Sequence, residues 1–361
     1  MKQKKIFALL PIIAATIMAS CTNDNESNWN SGSQIDLPRT RAFVLFEGIW
    51  GQNNGKLTYF NWSNDAASES DMYLAQNGKQ LGDVGQDLIY DGTNIFISIN
   101  GSNYVSKLNS IGIEQVRNSF ADNNFGQVRN LCKTGSHLYA DTYNGSVVKL
   151  NADDLSFIDS VFVGSYPEGI AELGGKLYVS VSGWGADSRV AEISISNFGA
   201  EPKYIDVMAN PDKIMSVNGK VYVQGYGPYD EYWNCPYPWG VIENGKYREI
   251  GNANAWCTND KTIYLTYSST NWQDGTTINS FYSYDTETGE LSDSAFTNVP
   301  LDLITASVSG MEINPYTGDI YIMTTLYSNG NGYIYHFLAN GQYKSKIPAY
   351  GQSPKKIVFL D

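Results

Sequence analysis

An apolar-aromatic-apolar triplet that follows a turn recurs through this chain and limits its fold more than any other feature. It stands at Ile95-Phe96-Ile97, Leu138-Tyr139-Ala140, Leu177-Tyr178-Val179, Val221-Tyr222-Val223, Ile263-Tyr264-Leu265 and Ile320-Tyr321-Ile322. The aromatic returns every ~40–45 residues, with one longer step before Tyr321, and a period of that length with several short strands per unit marks β-propeller blades.

One unit reads clearly along residues 84–120. Val84 to Tyr90 is the innermost strand, Asn94 to Ile99 the second, Tyr104 to Leu108 the third and Ile113 to Ser119 the outer, with tight turns such as Asp91-Gly92-Thr93 between them. Equivalent units begin near Gln127, Pro167, Pro211, Asn254 and Ser307. A further blade is shared between the ends. Ser353 to Leu360 has the pattern of an innermost strand, and Ala42 to Phe46, Lys56 to Asn61 and Ser70 to Leu74 supply the second, third and outer strands. The expected fold is all-β: a seven-bladed β-propeller of four-stranded blades spanning residues 42–361, closed by the C-terminal strand joining the N-terminal blade.

Residues 1–20 read as a lipoprotein signal peptide. Lys2, Lys4 and Lys5 form a basic start, and the apolar run Ile6 to Ile17 is too short for a membrane span. Met18-Ala19-Ser20-Cys21 resembles a bacterial lipobox, which implies lipidation of Cys21. The acidic stretch Thr22 to Glu26 resembles the surface-export signal of Bacteroidota lipoproteins. That implies an outer-membrane, lipid-anchored protein facing the cell exterior, touching the membrane through its anchor only. Residues 21–41, rich in Asn, Ser and Asp, read as a flexible polar tether.

The formal net charge is −13. Loss of the signal segment takes it to about −16, a balance that disfavours nucleic acid and anionic lipid as partners. Tyr (26) and Trp (8) are plentiful, which suits a polar-aromatic recognition surface. Besides Cys21 there are Cys132, Cys235 and Cys257; an odd number cannot pair fully, and a Cys235–Cys257 disulfide and buried free thiols both stay open. The spacing holds no metal-ligand pattern.

Tyr166-Pro167-Glu168-Gly169-Ile170 followed by Gly175-Lys176-Leu177-Tyr178-Val179 resembles the inner strand pair of YncE-like (YVTN-type) propellers. Asn210-Pro211-Asp212-Lys213-Ile214 with Gly219-Lys220-Val221-Tyr222-Val223 repeats the pattern, and Tyr284 to Gly289 resembles the family's turn before the outer strand. These are fold markers without chemistry of their own. Together with the lipobox and tether, the chain resembles surface propeller lipoproteins of gut Bacteroidota. That resemblance implies a cobalamin-binding protein seated on a TonB-dependent outer-membrane transporter (BtuB-like), with the corrinoid as ligand and no cofactor.

In a propeller the loops between second and third strands open on one face. Here they carry Trp50, Asn100, Tyr104, Tyr143, Trp184, Trp272 and Tyr327, and the long insert that begins at Tyr226. Trp50 and Trp184 are flanked by glycines, which suits turns better than core strands. The insert Gly225 to Trp239 places six aromatics and three prolines in fifteen residues: Tyr226, Tyr229, Tyr232, Trp233, Tyr237 and Trp239. Such residues bury large areas with few rotors, so they make a rigid binding rim, or else a plug for the propeller mouth. With the interleaved amides they suit a flat ligand rich in neutral donors and acceptors. Corrinoids and oligosaccharides both have that character, and the resemblance favours the corrinoid.

Enzymatic signatures are lacking. HExxH, GxSxG and phosphate-cradling loops do not occur. The only histidines, His137 and His336, are expected away from the aromatic face, and Asp141, Glu168, Asp187, Asp212 and Asp230 are the carboxylates placed to line the mouth. The expectation is a non-catalytic receptor that captures a corrinoid, with glycan binding and protein docking as the alternatives.

Overall fold

Seven four-stranded antiparallel sheets follow one another around a ring. The computed structural model describes residues 29–232, 234–271, 273–326 and 330–361. The chain divides into two compact units, Met1–Gly32 and Ser33–Asp361, and the ring belongs to the second. The expected signal peptide, Cys21 and the acidic start of the tether lie outside the described residues.

Blade 1 is the shared one: Pro354–Leu360 pairs with Arg41–Phe46, followed by Lys56–Asn61 and Ala66–Ser68. The second blade matches its sequence reading to within a residue, with strands Gly85–Tyr90, Asn94–Ile99, Tyr104–Asn109 and Glu114–Ser119. Blades 3 to 7 start their innermost strands at Val128, Pro167, Pro211, Ala255 and Ser307.

Two boundaries differ from expectation. Ser70 to Leu74 is not the outer strand of blade 1; a helix occupies Met72–Asn77 instead. Asp71 caps it by accepting from the Leu74 amide, and Gly78 ends it in left-handed backbone, the usual start and stop signals of a short helix. The folded unit also begins at Ser33, ahead of Ala42. Leu37 is buried, the Gln76 side chain accepts from the Gln34 amide, and Gln76 donates to Ser33 Oγ and Ile111 O. Residues 33–41 hold too few apolar side chains to show a periodicity, so their docking is invisible in the sequence.

The recurring aromatics pack between blades. Phe96, Tyr139, Tyr222 and Tyr321 are fully buried. Around Tyr222, Trp239 stacks at 5.5 Å and Tyr284 meets it edge-on at 6.0 Å, while Trp256 sits edge-on to Trp239 at 6.1 Å. His336, also fully buried, is held between Asp65 Oδ1 and Asp319 Oδ2, each at 2.9 Å, beneath the stacked Tyr321 ring.

The innermost strands share a second device. In blades 1 to 5 and 7 the pairing shifts register near the strand start, between Gly85 and Asp87, Val128 and Leu131, Pro167 and Gly169, and so on. A bulge re-aims side chains that would otherwise alternate. Successive polar residues therefore face the axis: Gln86 with Asp87, and Lys355 with Lys356. They line an axial cavity of 560 Å³ to which all seven innermost strands contribute.

Candidate functional site

Aromatics of the mouth loops gather on one arc, over blades 3 to 5, some exposed and some half-buried. Tyr143 follows the second strand of blade 3, Tyr166 precedes Pro167 at the start of blade 4, and Trp184 sits in the next turn of that blade. Their rings lie 5.3 Å (Tyr143–Tyr166), 5.2 Å (Tyr166–Trp184) and 6.5 Å (Tyr143–Trp184) apart, all edge to face. Edge-to-face contact is the favoured aromatic geometry.

Backbone strain holds this group in place. Tyr166 and Trp184 have φ of 53° and 57°, a region non-glycine residues rarely occupy and one that collects at functional sites. The Ser182 hydroxyl ties the two turns together: it donates to Tyr166 O at 2.8 Å and accepts from the Trp184 amide at 3.2 Å. Gly183 is required here, since its φ is 56° and a Cβ would sit 2.9 Å from that of Asp187. Trp184 nevertheless remains 73% exposed. A large ring held at that exposure offers contact area at little entropic cost.

The insert of blade 5 extends the arc. Tyr226 stacks with Tyr229 at 6.4 Å and packs on Tyr237 at 5.6 Å. Asp230 orders the loop from within: Oδ1 accepts from the Tyr232 and Asn234 amides, and Oδ2 from Asn234 Nδ2. Tyr229 and Tyr232 are about half exposed.

Beneath the aromatics lies a charged floor. Arg129 donates to Glu168 Oε2 at 2.5 Å and to Gln86 Oε1 at 2.7 Å, with its guanidinium 4.6 Å from the Tyr143 ring centroid. Burial, with the charge of Asp212, pushes the Glu168 carboxyl up to about 7 despite Arg129. Burial raises Asp141 well above the usual carboxylate range; its Oδ1 accepts from the Asn130 amide, and Oδ2 has no partner among the described residues. The charge of Asp212, then burial, raises the Tyr226 hydroxyl. Burial pushes Tyr143 up to about 12 against the pull of Arg129, with Glu168 and Asp212 adding to the rise.

Of the aromatics expected at the mouth, Tyr143, Trp184, Tyr226, Tyr229 and Tyr237 come together. Trp50 is 62% exposed but stands apart on blade 1, without a ring contact among the described residues. Three expected residues are corrected. Asn100 is buried, its Nδ2 donating to Val128 O at 2.7 Å. Tyr104 is buried with its hydroxyl on Leu81 O and Arg117 over its ring at 3.6 Å. Trp239 lies not on the rim but within a core strand, Pro238–Glu243, and is fully buried. Tyr104 and Trp239 are strand residues whose rings turn into the core, while Asn100 stays in the turn after Asn94–Ile99 but spends its side chain on the adjacent blade. Trp233, Trp272 and Tyr327 lie outside the described residues.

Glu168, Asp212 and Asp141 do reach the floor, while Asp187 pairs with Arg189 at 2.6 Å. Tyr166 and Arg129 join the site without being among the residues expected there. Their signal is positional. Val84, Tyr166, Asn210 and Ser353 all hold left-handed backbone before an innermost strand, and Arg129, Glu168 and Asp212 follow one residue after the strand's first. The three described cysteines, Cys132, Cys235 and Cys257, are free thiols.

No family model and no curated protein matches the chain. Solved structures do. A quinoprotein alcohol dehydrogenase-like protein from Bacteroides thetaiotaomicron is 12% identical, with 90% of this chain and 78% of that chain covered and a TM-score of 0.60. Apo AztD from Citrobacter koseri is 12% identical over 90% of this chain and 99% of that one, TM-score 0.56. The Kuenenia stuttgartiensis hydrazine synthase is 17% identical over 68% and 74%, TM-score 0.53. At such identities the likeness shows the β-propeller fold alone.

Proposed function

We propose that the chain is a non-catalytic binding propeller that captures a corrinoid at the aromatic arc of its mouth. In this reading it is a lipid-anchored outer-membrane protein of the BtuG type, which passes its ligand to a BtuB-like, TonB-dependent transporter. The observation that carries the proposal is the Tyr143–Tyr166–Trp184 group, in which an exposed indole rests on two half-buried tyrosines and strained backbone at Tyr166 and Trp184 fixes the rings, with Tyr226 and Tyr229 continuing the same arc. Affinity for a large, flat molecule is gained mostly by holding such a surface ready before the ligand arrives. A corrin ring supplies the flat body, and its peripheral amides match the polar floor of Arg129, Glu168 and Asp212.

Calorimetric titration of the full chain with cyanocobalamin and with cobinamide tests this. One-to-one binding that Trp184→Ala weakens supports the reading. Absence of heat with both ligands at high concentration removes it.

A further inference from the structure

A second concavity lies beside the aromatic arc, between the insert of blade 5 and a long hairpin of blade 6. The hairpin strands Thr262–Asn271 and Thr276–Asp285 each run ten residues, against six for Asn94–Ile99 and Tyr104–Asn109 of blade 2. Their extra length faces the returning arm of the insert. That arm is clamped from below: Asn252 Nδ2 donates to Pro236 O at 2.7 Å and the Ala253 amide to Tyr237 O at 2.9 Å. The groove between them measures 320 Å³, at the small end of ligand clefts, which span ~300–1,000 Å³.

The lining has a distinct chemistry. It is built of hydroxyls, amides, the Cys235 thiol and two tyrosines, Tyr237 and Tyr267, with no charged residue among the described ones. Two of its polar atoms are buried and lack a hydrogen-bond partner among the described residues. One is the Oγ of Ser268, a residue only 7% exposed, whose amide is already taken by Asn254 Oδ1. The other is Oδ1 of Asn234, whose Nδ2 is committed to Asp230. Leaving such atoms unmade is costly, so each marks a place where an incoming group gains a bond.

We propose that this groove is a binding subsite for a neutral polyhydroxylated ligand, a saccharide ring. Sugar hydroxyls both donate and accept, so one can donate to Asn234 Oδ1 while another pairs with Ser268 Oγ. The tyrosine rings offer apolar faces to the sugar's C–H surface. A charged ligand would find no counter-ion in this lining. The subsite is separate from the corrinoid reading and stands or falls without it.

The test uses saturation-transfer NMR on the full chain with neutral malto-, cello-, xylo- and manno-oligosaccharides at millimolar concentration, followed by titration of any that respond. Binding is expected for at least one, and Ser268→Ala weakens it about five- to tenfold, the loss of one buried hydrogen bond. That variant removes an unpartnered buried atom, so its thermal midpoint is expected at or above the wild-type value and its response to cyanocobalamin unchanged. Asn234→Ala provides a second reading of the same groove. Lack of transfer from every saccharide overturns the proposal, as does binding that both substitutions leave unchanged.

Discussion

Tyr166 and Trp184 come from different turns yet meet ring to ring at 5.2 Å, and both hold left-handed backbone to do so. Strain of this kind costs on the order of 1–3 kcal/mol per residue and survives only where surroundings enforce it. Here Ser182 enforces it, and the product is an indole that the solvent still reaches. Trp184→Ala is therefore expected to lower corrinoid affinity about tenfold or more, as for a central aromatic anchor, while leaving the thermal midpoint nearly unchanged. Trp50→Ala, at a ring also exposed but isolated, is expected to change affinity little. Equal losses in the two variants, measured by calorimetry, would move the site away from the arc.

Glu168 gives the mouth a dependence on pH. Folding raises its carboxyl from 4.5 to about 7, by burial and by the charge of Asp212 against that of Arg129. For a raised carboxyl the stabilising share is complete below the unfolded value and is lost as pH climbs through the folded one. Unfolding free energy is thus expected to fall between pH 4.5 and 7, by about 3 kcal/mol at most from this group. Asp141, raised by its burial, adds a slope of the same sign. Denaturant titrations at several pH values should show a shallower fall for Glu168→Gln. An identical slope in that variant would place the titration elsewhere.

The sequence announces the ring and conceals the site for one physical reason. Blade strands are set by local alternation and turn chemistry, so Asn94–Ile99 and the entry at Pro167 can be read from neighbours alone. Whether an aromatic near a strand end faces solvent depends on the adjacent blade. Tyr104 and Trp184 both stand in or beside a second-to-third-strand loop, but Arg117 covers the first, while the second remains 73% exposed. Tyr166 is hidden from a sequence reading because its φ of 53° departs from the extended backbone expected of a pre-proline residue. Arg129 needed the bulge between Val128 and Leu131, a register event that no periodicity encodes.

His336 fastens blade 7 to blade 1. Its two nitrogens reach Asp65 and Asp319 at 2.9 Å, and Asp65 also accepts from Ser345 Oγ at 2.7 Å and lies 3.3 Å from Lys344. His336→Ala leaves two carboxylates without their shared partner and opens a cavity under Tyr321, at an expected cost of about 3–5 kcal/mol in unfolding free energy. Burial alone would raise the Asp65 carboxyl, but its bonds to His336 and Ser345 bring it below 3.8. Its stabilising share is therefore present above that value and lost as pH falls beneath it. Asp65→Asn is expected to be less stable at neutral pH and to lose this acid-side slope. Wild-type stability in both variants would show that the network contributes nothing to holding the blades.

Closure of the ring rests on a single strand. Pro354–Leu360 pairs along Arg41–Phe46, with Ile357 opposite Val44 and Phe359 opposite Ala42. Ile357 and Phe359 are buried in one cluster with Phe46, Phe60, Tyr321 and Met323, so the two ends of the chain share a core with blade 7. A large-to-small change there removes packing from two blades at once. Phe359→Ala is expected to cost about 3–5 kcal/mol and Ile357→Ala about 2–5. Phe162, on the outer strand of blade 3, is 61% exposed. Phe162→Ala removes the same atoms from a solvated edge and is expected to stay within about 0.5 kcal/mol of wild type. Chemical denaturation of the three variants compares them directly. If Phe359→Ala and Phe162→Ala lose similar amounts, the C-terminal strand adds one more edge and does not close the ring. If only the closing-strand variants fall, the ends of the chain hold the propeller shut.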